Sequence, residues 1–209
     1  MAIEVLSEIV ANQIAAGEVV NRPSSVVKEL LENSIDSGAN EILLIVKDAG
    51  RTLIQVKDNG CGMSREDAKK CFLPHATSKI KSSEDLLNLT TMGFRGEALS
   101  SIASISQIEL QTRREEDELG TKVIIEGGVV KEVCDVSCPK GTNIFVKNIF
   151  FNTPARRNFL KSDSVEFSHI NEEFIRVALV NTEVSFLLYN NEQMQYRLES
   201  SNLKRRVID

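Results

Sequence analysis

The chain has 209 residues, a formal net charge of −5 and an isoelectric point near 5.3. With 42% hydrophobic and 26% charged residues it is ordinary for a globular protein of one domain, or of one and a fragment of another, and a chain of this size buries about 70% of its unfolded surface without staples. No apolar run approaches the ~20 residues of a membrane span, the acidic start Met1–Val5 is no secretory leader, and the acidic balance speaks against a surface built wholly for nucleic acid, which requires Lys and Arg.

In chain order, Ser7 to Ala16 reads as a short helix with Ile9, Ile14 and Ala15 inward, and Gly17 reads as its stop. Pro23 suits the first turn of a second helix. Val26, Val27, Leu30, Leu31 and Ile35 form one side of that helix, and Ser25, Lys28, Glu29, Glu32, Asn33 and Asp36 the other. Gly38 closes it. Ile42–Lys47 and Thr52–Lys57 are β-rich and joined by Asp48–Arg51, a hairpin pattern. The run Asp58-Asn59-Gly60-Cys61-Gly62 breaks the second strand, and Ser64 caps a following helix.

Pro74 to Leu99 is polar and small, and reads as a long loop region with a short helix near Asp85. Loops of that length inside a domain are usually functional. A helix starts near Glu97. Strands follow at Gln107–Thr112, Lys122–Glu126, Val129–Val133 and Asn143–Lys147, with a turn at Gly127-Gly128. Asp163-Ser164-Val165-Glu166 has capping-box spacing and opens a helix to about Thr182. A hairpin across Asn190-Asn191 joins Val184–Tyr189 to Met194–Leu198. Strands in runs, with helices grouped rather than alternating, predict a two-layer α+β domain with an antiparallel-dominated sheet and helices on one face.

Several spacings carry chemistry. Glu29 and Asn33 stand one turn apart, so a carboxylate and a carboxamide project from neighbouring points. The first can take a proton from water, and the second is a neutral oxygen ligand suited to Mg²⁺. From this helix alone, a charged face turned to solvent is the commoner reading. Asp58-x-Gly60-x-Gly62 places a carboxylate at a strand end, able to accept from an exocyclic amine such as that of adenine, although the same residues dominate plain turns. Gly93-Phe94-Arg95-Gly96-Glu97-Ala98-Leu99 runs into a helix start, which can hold an anion or simply hinge. Thr77-Ser78-Lys79 offers two hydroxyls and an ammonium to phosphate oxygens. Cys61, Cys71, Cys134 and Cys138 suit reduced thiols, and Cys134-x-x-x-Cys138 has no further cluster to complete a zinc site.

Together and in this order, Glu-x-x-x-Asn, Asp-x-Gly-x-Gly, a loop ending in Gly-x-x-Gly and Gly141-Thr142 before a strand resemble the GHKL ATPase superfamily. Ile9–Val20, Arg22-Pro23, Val26–Leu30, His75–Ile80 and Phe151-Asn152-Thr153-Pro154-Ala155-Arg156-Arg157 narrow the resemblance to the amino-terminal ATPase domain of the MutL family. The resemblance implies the superfamily's two-layer α/β sandwich, of Bergerat type, with a mixed and mostly antiparallel sheet. It implies ATP and Mg²⁺ as cofactors. Glu29 matches the general base that activates water, and Asn33 the nucleotide-bound Mg²⁺ ligand. Asp58 matches the adenine reader, Gly62 and Met63 line the base pocket, and Thr142 supports the adenine contact. Thr77, Ser78 and Lys79 match one lid segment. Gly93, Phe94, Arg95, Gly96, Ala98 and Leu99 belong to the second, around the triphosphate.

The same resemblance implies a mismatch-repair switch that self-associates on binding ATP and couples a MutS-type mismatch recognition protein to strand incision. It assigns residues 1–21 to a dimerisation arm and first helix, 22–200 to the ATP-binding domain and 201–209 to the start of a linker. Family members carry a second domain that supplies a Lys to the γ-phosphate, so turnover by these 209 residues is expected to be weak, and DNA is expected to be held mainly by other parts of the protein. The compartment implied is cytoplasmic in a bacterium or nuclear in a eukaryote. Ile35 and Ser37 replace the family's usual Leu and Ala. A nucleotide-gated binding module with negligible turnover is the alternative. A histidine kinase needs a phosphoacceptor helix that neither His75 nor His169 sits in.

Overall fold

The computed structural model describes residues 8–79, 92–93 and 96–208. The expected short helix near Asp85, and Phe94 and Arg95 of the Gly93–Leu99 motif, lie outside them. Two helices come first, α1 (Glu8–Val19) and α2 (Pro23–Asp36), then the hairpin β1 (Glu41–Lys47) and β2 (Leu53–Asp58). Helices α3 (Arg65–Lys70) and α4 (Ala98–Ser104) precede strands β3 (Gln107–Arg113), β4 (Gly120–Glu126), β5 (Val129–Val136) and β6 (Gly141–Lys147). Then come α5 (Pro154–Phe159), α6 (Asp163–Val180), the hairpin β7 (Ser185–Asn190) and β8 (Gln193–Leu198), and α7 (Leu203–Ile208).

All the strands among the described residues join one eight-stranded sheet in the order β5-β4-β3-β6-β2-β1-β7-β8. Its pairs are antiparallel except β1 with β7, which run parallel because β7 returns only after the long crossover through α6. The expected α+β architecture with a mixed, mostly antiparallel sheet is therefore the one observed.

Alternation along each strand sends one set of side chains to the helical layer. Ile42, Leu44 and Val46 of β1, Ile54 and Val56 of β2, and Ile108 and Leu110 of β3 are at most 2% exposed. Each such side chain contributes roughly 1.5–3 kcal/mol through burial. Helix α2 lays Val26, Val27, Leu30 and Leu31 into this layer, and α6 adds Ile170, Phe174, Val177 and Ala178. Phe174 meets Phe186 edge-on at 5.8 Å and stacks on Tyr196 at 5.6 Å, which ties α6 to the β7–β8 hairpin.

Two helix boundaries differ from the sequence expectation. Gly17 does not stop α1, which continues to Val19. A Cβ there would lie 1.8 Å from Nη2 of Arg156, so the glycine admits a crossing side chain instead of ending a helix. Ser162, not Asp163, takes the N-cap position of α6, and the Glu166 carboxylate reaches back to accept from the Lys161 amide at 2.9 Å. Helices α5 and α7 were not anticipated. α7 is anchored by Arg206, 3% exposed, whose guanidinium donates to the carbonyls of Ala178, Val184 and Glu199 at 2.6, 2.7 and 3.1 Å. No helix among the described residues is long and apolar enough to cross a membrane.

Candidate functional site

The register of the sheet builds the first half of the site. Val46, Ile54, Val146, Ile108 and Ile125 stand in one row across five strands, and Leu44, Val56, Ile144, Leu110 and Val123 in the next. The third row along the same inward face is Ile42, Asp58, Thr142, Thr112 and Thr121. The core thus turns polar at one end of the strands, under the carboxyl end of α2. Asp58 is 8% exposed. It accepts from Ser34 Oγ at 2.9 Å, the Gly60 amide at 2.9 Å and the Thr142 amide at 3.2 Å. Burial pushes its carboxyl above the usual aspartate range, against the lowering effect of those three hydrogen bonds.

Thr112 extends the network. Its hydroxyl, fully buried, donates to the Gly141 carbonyl at 3.0 Å, lies 3.1 Å from the Thr142 hydroxyl and accepts from the Met63 amide at 3.0 Å. Thr142 and Met63 are thereby held around Asp58. Gly62, at φ +69°, passes so close to β3 that a Cβ would fall 2.1 Å from the Arg113 carbonyl oxygen. Gly141 is equally constrained, since its Cβ would lie 2.1 Å from the Asp58 carbonyl.

The second half rests on the polar side of α2. Glu29, with its side chain 26% exposed, lies 3.4 Å from the Lys28 ammonium, which also pairs with Glu32 at 3.0 Å. Burial raises the Glu32 carboxyl, partly offset by Lys28. One turn beyond Glu29, Asn33 Oδ1 accepts from Lys79 Nζ at 2.9 Å. The same ammonium lies 2.6 Å from Asp36 Oδ2. Asp36 also accepts from the amides of Met92 at 3.1 Å and Gly93 at 3.3 Å.

Of the described loop residues, Lys79, Met92 and Gly93 reach these groups. Thr77 Oγ1 accepts from the Lys79 amide at 3.1 Å, which shapes the Thr77-Ser78-Lys79 turn, with Ser78 exposed. A Cβ at Gly93 would sit 3.3 Å from Lys79 Nζ and 4.0 Å from Asn33 Oδ1. Gly96, at φ +66°, packs against the backbone of His75 and Ala76. The next residue, Glu97, pairs with His75 and flanks α4, where Ala98 is the first helical residue and Leu99 leans on the core.

A carboxylate pocket at the sheet, hydrogen-bonded by neutral donors, thus lies beside a charged, part-buried corner with hydroxyls, amides and an ammonium. Among the described residues no group of three or more His, Cys, Asp or Glu could cage a metal. A lone carboxamide oxygen such as that of Asn33 does fit Mg²⁺, which keeps waters and takes the rest of its shell from phosphates. The surface hollows lined by Ser64, Arg65 and Asp117, and by Gln13, Thr153 and Arg156, include none of these groups.

Sequence reading missed Ser34, Thr112 and Asp36 as parts of the site. Ser34 occupies the apolar stripe of α2 and Thr112 the inward parity of β3. A small hydroxyl where the pattern calls for a hydrocarbon was the available signal.

Residues 21–136 match the family model described as histidine kinase-, DNA gyrase B- and HSP90-like ATPase. The DNA mismatch repair protein MutL of Flavobacterium johnsoniae is 56% identical over 208 residues, covering 99% of this chain and 32% of that protein. The Porphyromonas gingivalis MutL is 57% identical over 207 residues, covering 99% and 34% respectively. The chain thus spans about a third of the length of these relatives. Among solved structures, the ADP complex of the Aquifex aeolicus MutL ATPase domain is 34% identical with a TM-score of 0.77, over 90% of this chain and 68% of that one.

Proposed function

The chain belongs to the MutL family of DNA mismatch repair proteins and has the GHKL ATPase fold, and from that premise we propose that it binds ATP between the Asp58 pocket and the Asn33 corner and hydrolyses it. The observation that carries this reading is the position of Asp58. It is a buried carboxylate at a strand end, fixed by neutral donors from α2, β6 and the Gly60 turn. Asp58 accepts from the exocyclic amine of adenine, and Gly62, Met63 and Thr142 border the base. A solved MutL ATPase domain with ADP supports the choice of nucleotide.

Glu29 then takes a proton from the water that attacks the terminal phosphate, once Lys28 no longer neutralises it. Asn33 would hold Mg²⁺, which would supply positive charge to the phosphate oxygens. Thr77, Ser78, Lys79 and the Gly93–Leu99 segment, including Phe94 and Arg95, surround the triphosphate. At the level of the whole protein, residues 22–200 are the ATP-binding domain, 1–21 a dimerisation arm and 201–209 the lead into a linker. ATP-driven self-association couples a MutS-type partner and DNA to strand incision, in the cytoplasm of a bacterium.

Phosphate release and the binding of fluorescent ATP test the reading together. Glu29→Ala should lower turnover by roughly 10²–10⁴-fold, the usual weight of a general base, while ATP affinity stays within a small factor. Unchanged turnover removes Glu29 from the mechanism. Tight binding with no measurable turnover in the unsubstituted chain would favour a nucleotide-gated binding module, an alternative that the Lys28–Glu29 pair supports.

A further inference from the structure

Lys79 occupies a position that the proposed mechanism leaves unexplained. Its ammonium donates to Asn33 Oδ1 at 2.9 Å, the oxygen assigned above to Mg²⁺, and lies 2.6 Å from Asp36 Oδ2. The two side chains are 19% and 8% exposed, so water screens the pair weakly. The backbone of Gly93 closes over the ammonium, with its Cβ direction ending 3.3 Å from Nζ. Asp36 simultaneously accepts from the amides of Met92 and Gly93. One carboxylate therefore joins residue 79, residues 92–93 and the end of α2.

We propose that Lys79 is an internal cation that competes with Mg²⁺ for Asn33, and that Asp36 is the positioning residue that holds it there. Two cations cannot share one carboxamide oxygen in a half-buried corner without strong repulsion. Entry of the metal therefore requires Lys79 to leave Asn33. The ammonium, still beside Asp36 or turned toward phosphate oxygens, exchanges one partner for another without being stripped bare. Because Asp36 also holds Met92 and Gly93, the exchange at Asn33 is felt by that backbone. Without nucleotide, Lys79 satisfies Asn33 and neutralises Asp36, which keeps the corner ordered until the metal arrives. This inference rests on the reading of Asn33 as the metal contact.

The test is the Mg²⁺-dependent gain in ADP affinity, measured as the ratio of dissociation constants in EDTA and in saturating Mg²⁺ with fluorescent ADP and no turnover. Lys79→Met should enlarge this gain about tenfold over the unsubstituted chain, the scale of one charge-assisted hydrogen bond. Asp36→Asn, which loosens Lys79 without removing it, should enlarge it by a smaller factor. Should Lys79→Met fail to fold with the Asp36 charge left uncompensated, the double variant K79M/D36N removes both charges and should show the same enlarged gain. A gain that is unchanged or reduced in these variants overturns the competition. An unsubstituted chain whose ADP affinity ignores Mg²⁺ overturns the reading of Asn33, and the inference with it.

Discussion

Asp58 and Asp36 are both carboxylates with side chains near the carboxyl end of α2, and both are almost closed to solvent, yet their partners differ in kind. Asp58 is held by a serine hydroxyl and two backbone amides, all neutral and fixed by α2, the Gly60 turn and the β2–β6 register. Asp36 is held by an ammonium on a four-carbon stem and by two amides of a loop. The first arrangement is tied to backbone, so on the proposed reading an adenine amine would meet an acceptor already oriented, which lowers the ordering cost of binding. The second can exchange partners, because a lysine head moves more readily than a strand. The proposed nucleotide site combines the two: a rigid reader for the base, and a corner able to rearrange when charge enters.

The largest expected effect on binding comes from breaking the rigid half. Asp58→Ala removes the proposed base acceptor and leaves Ser34 and the amides of Gly60 and Thr142 without their Asp58 partner. Loss of one charged hydrogen bond weakens ADP binding about 100-fold, and orphaned buried donors cost about 1–3 kcal/mol each in stability. ADP titration and urea denaturation read the two separately. An ADP affinity within threefold of the unsubstituted chain would remove Asp58 as the reader.

A pair of glycines sharpens the contrast. At Gly62 a methyl meets the Arg113 carbonyl at 2.1 Å with φ at +69°, so backbone must move. At Gly93 the nearest atom is the Lys79 ammonium at 3.3 Å, the far end of a flexible side chain. Gly62→Ala should therefore cost more than about 2 kcal/mol in stability, beyond the usual range for alanine at a position that tolerates it. Gly93→Ala should cost less than about 1 kcal/mol. Equal costs in urea denaturation would erase the distinction between a fixed and a yielding half.

What was legible in the sequence follows the same division. The α2 stripe, the Asp58 turn and the β1–β2 hairpin come from local periodicity and turn chemistry, which one window of residues carries. The row Asp58–Thr142–Thr112 was half legible: Asp58 and Thr142 by motif, Thr112 only once β3 is set beside β6. The Asp36 junction was not legible, because it joins α2 to residues 43 and 57 positions away, Lys79 and Gly93, and neither spacing has a local signature. Gly17 was misread because its glycine answers to Arg156, far along the chain. Local rules favour a helix stop there, and tertiary packing overrides them.

The smallest expected effect is one of pH, and it carries opposite signs for folding and for binding. Burial raises the Asp58 carboxyl above its unfolded value, so the folded chain binds this proton more tightly than the unfolded one. Its contribution to stability is then fully present below about pH 4, the ordinary aspartate value, and is lost as pH rises through the raised value. Binding runs the other way, because only the ionised carboxylate offers both oxygens as acceptors to its donors and to the base amine. ADP affinity should thus rise over the same window in which the Asp58 share of stability falls. Other carboxylates titrate there too, so Asp58→Asn serves as the reference. The stability of the unsubstituted chain minus that of Asp58→Asn, from urea midpoints at successive pH values, should decline as pH increases from about 4 toward neutrality. A difference that stays flat or climbs would mean that the three hydrogen bonds, rather than burial, dominate at Asp58, and that the rigid half of the site is stabilised by the very charge it uses to read the base.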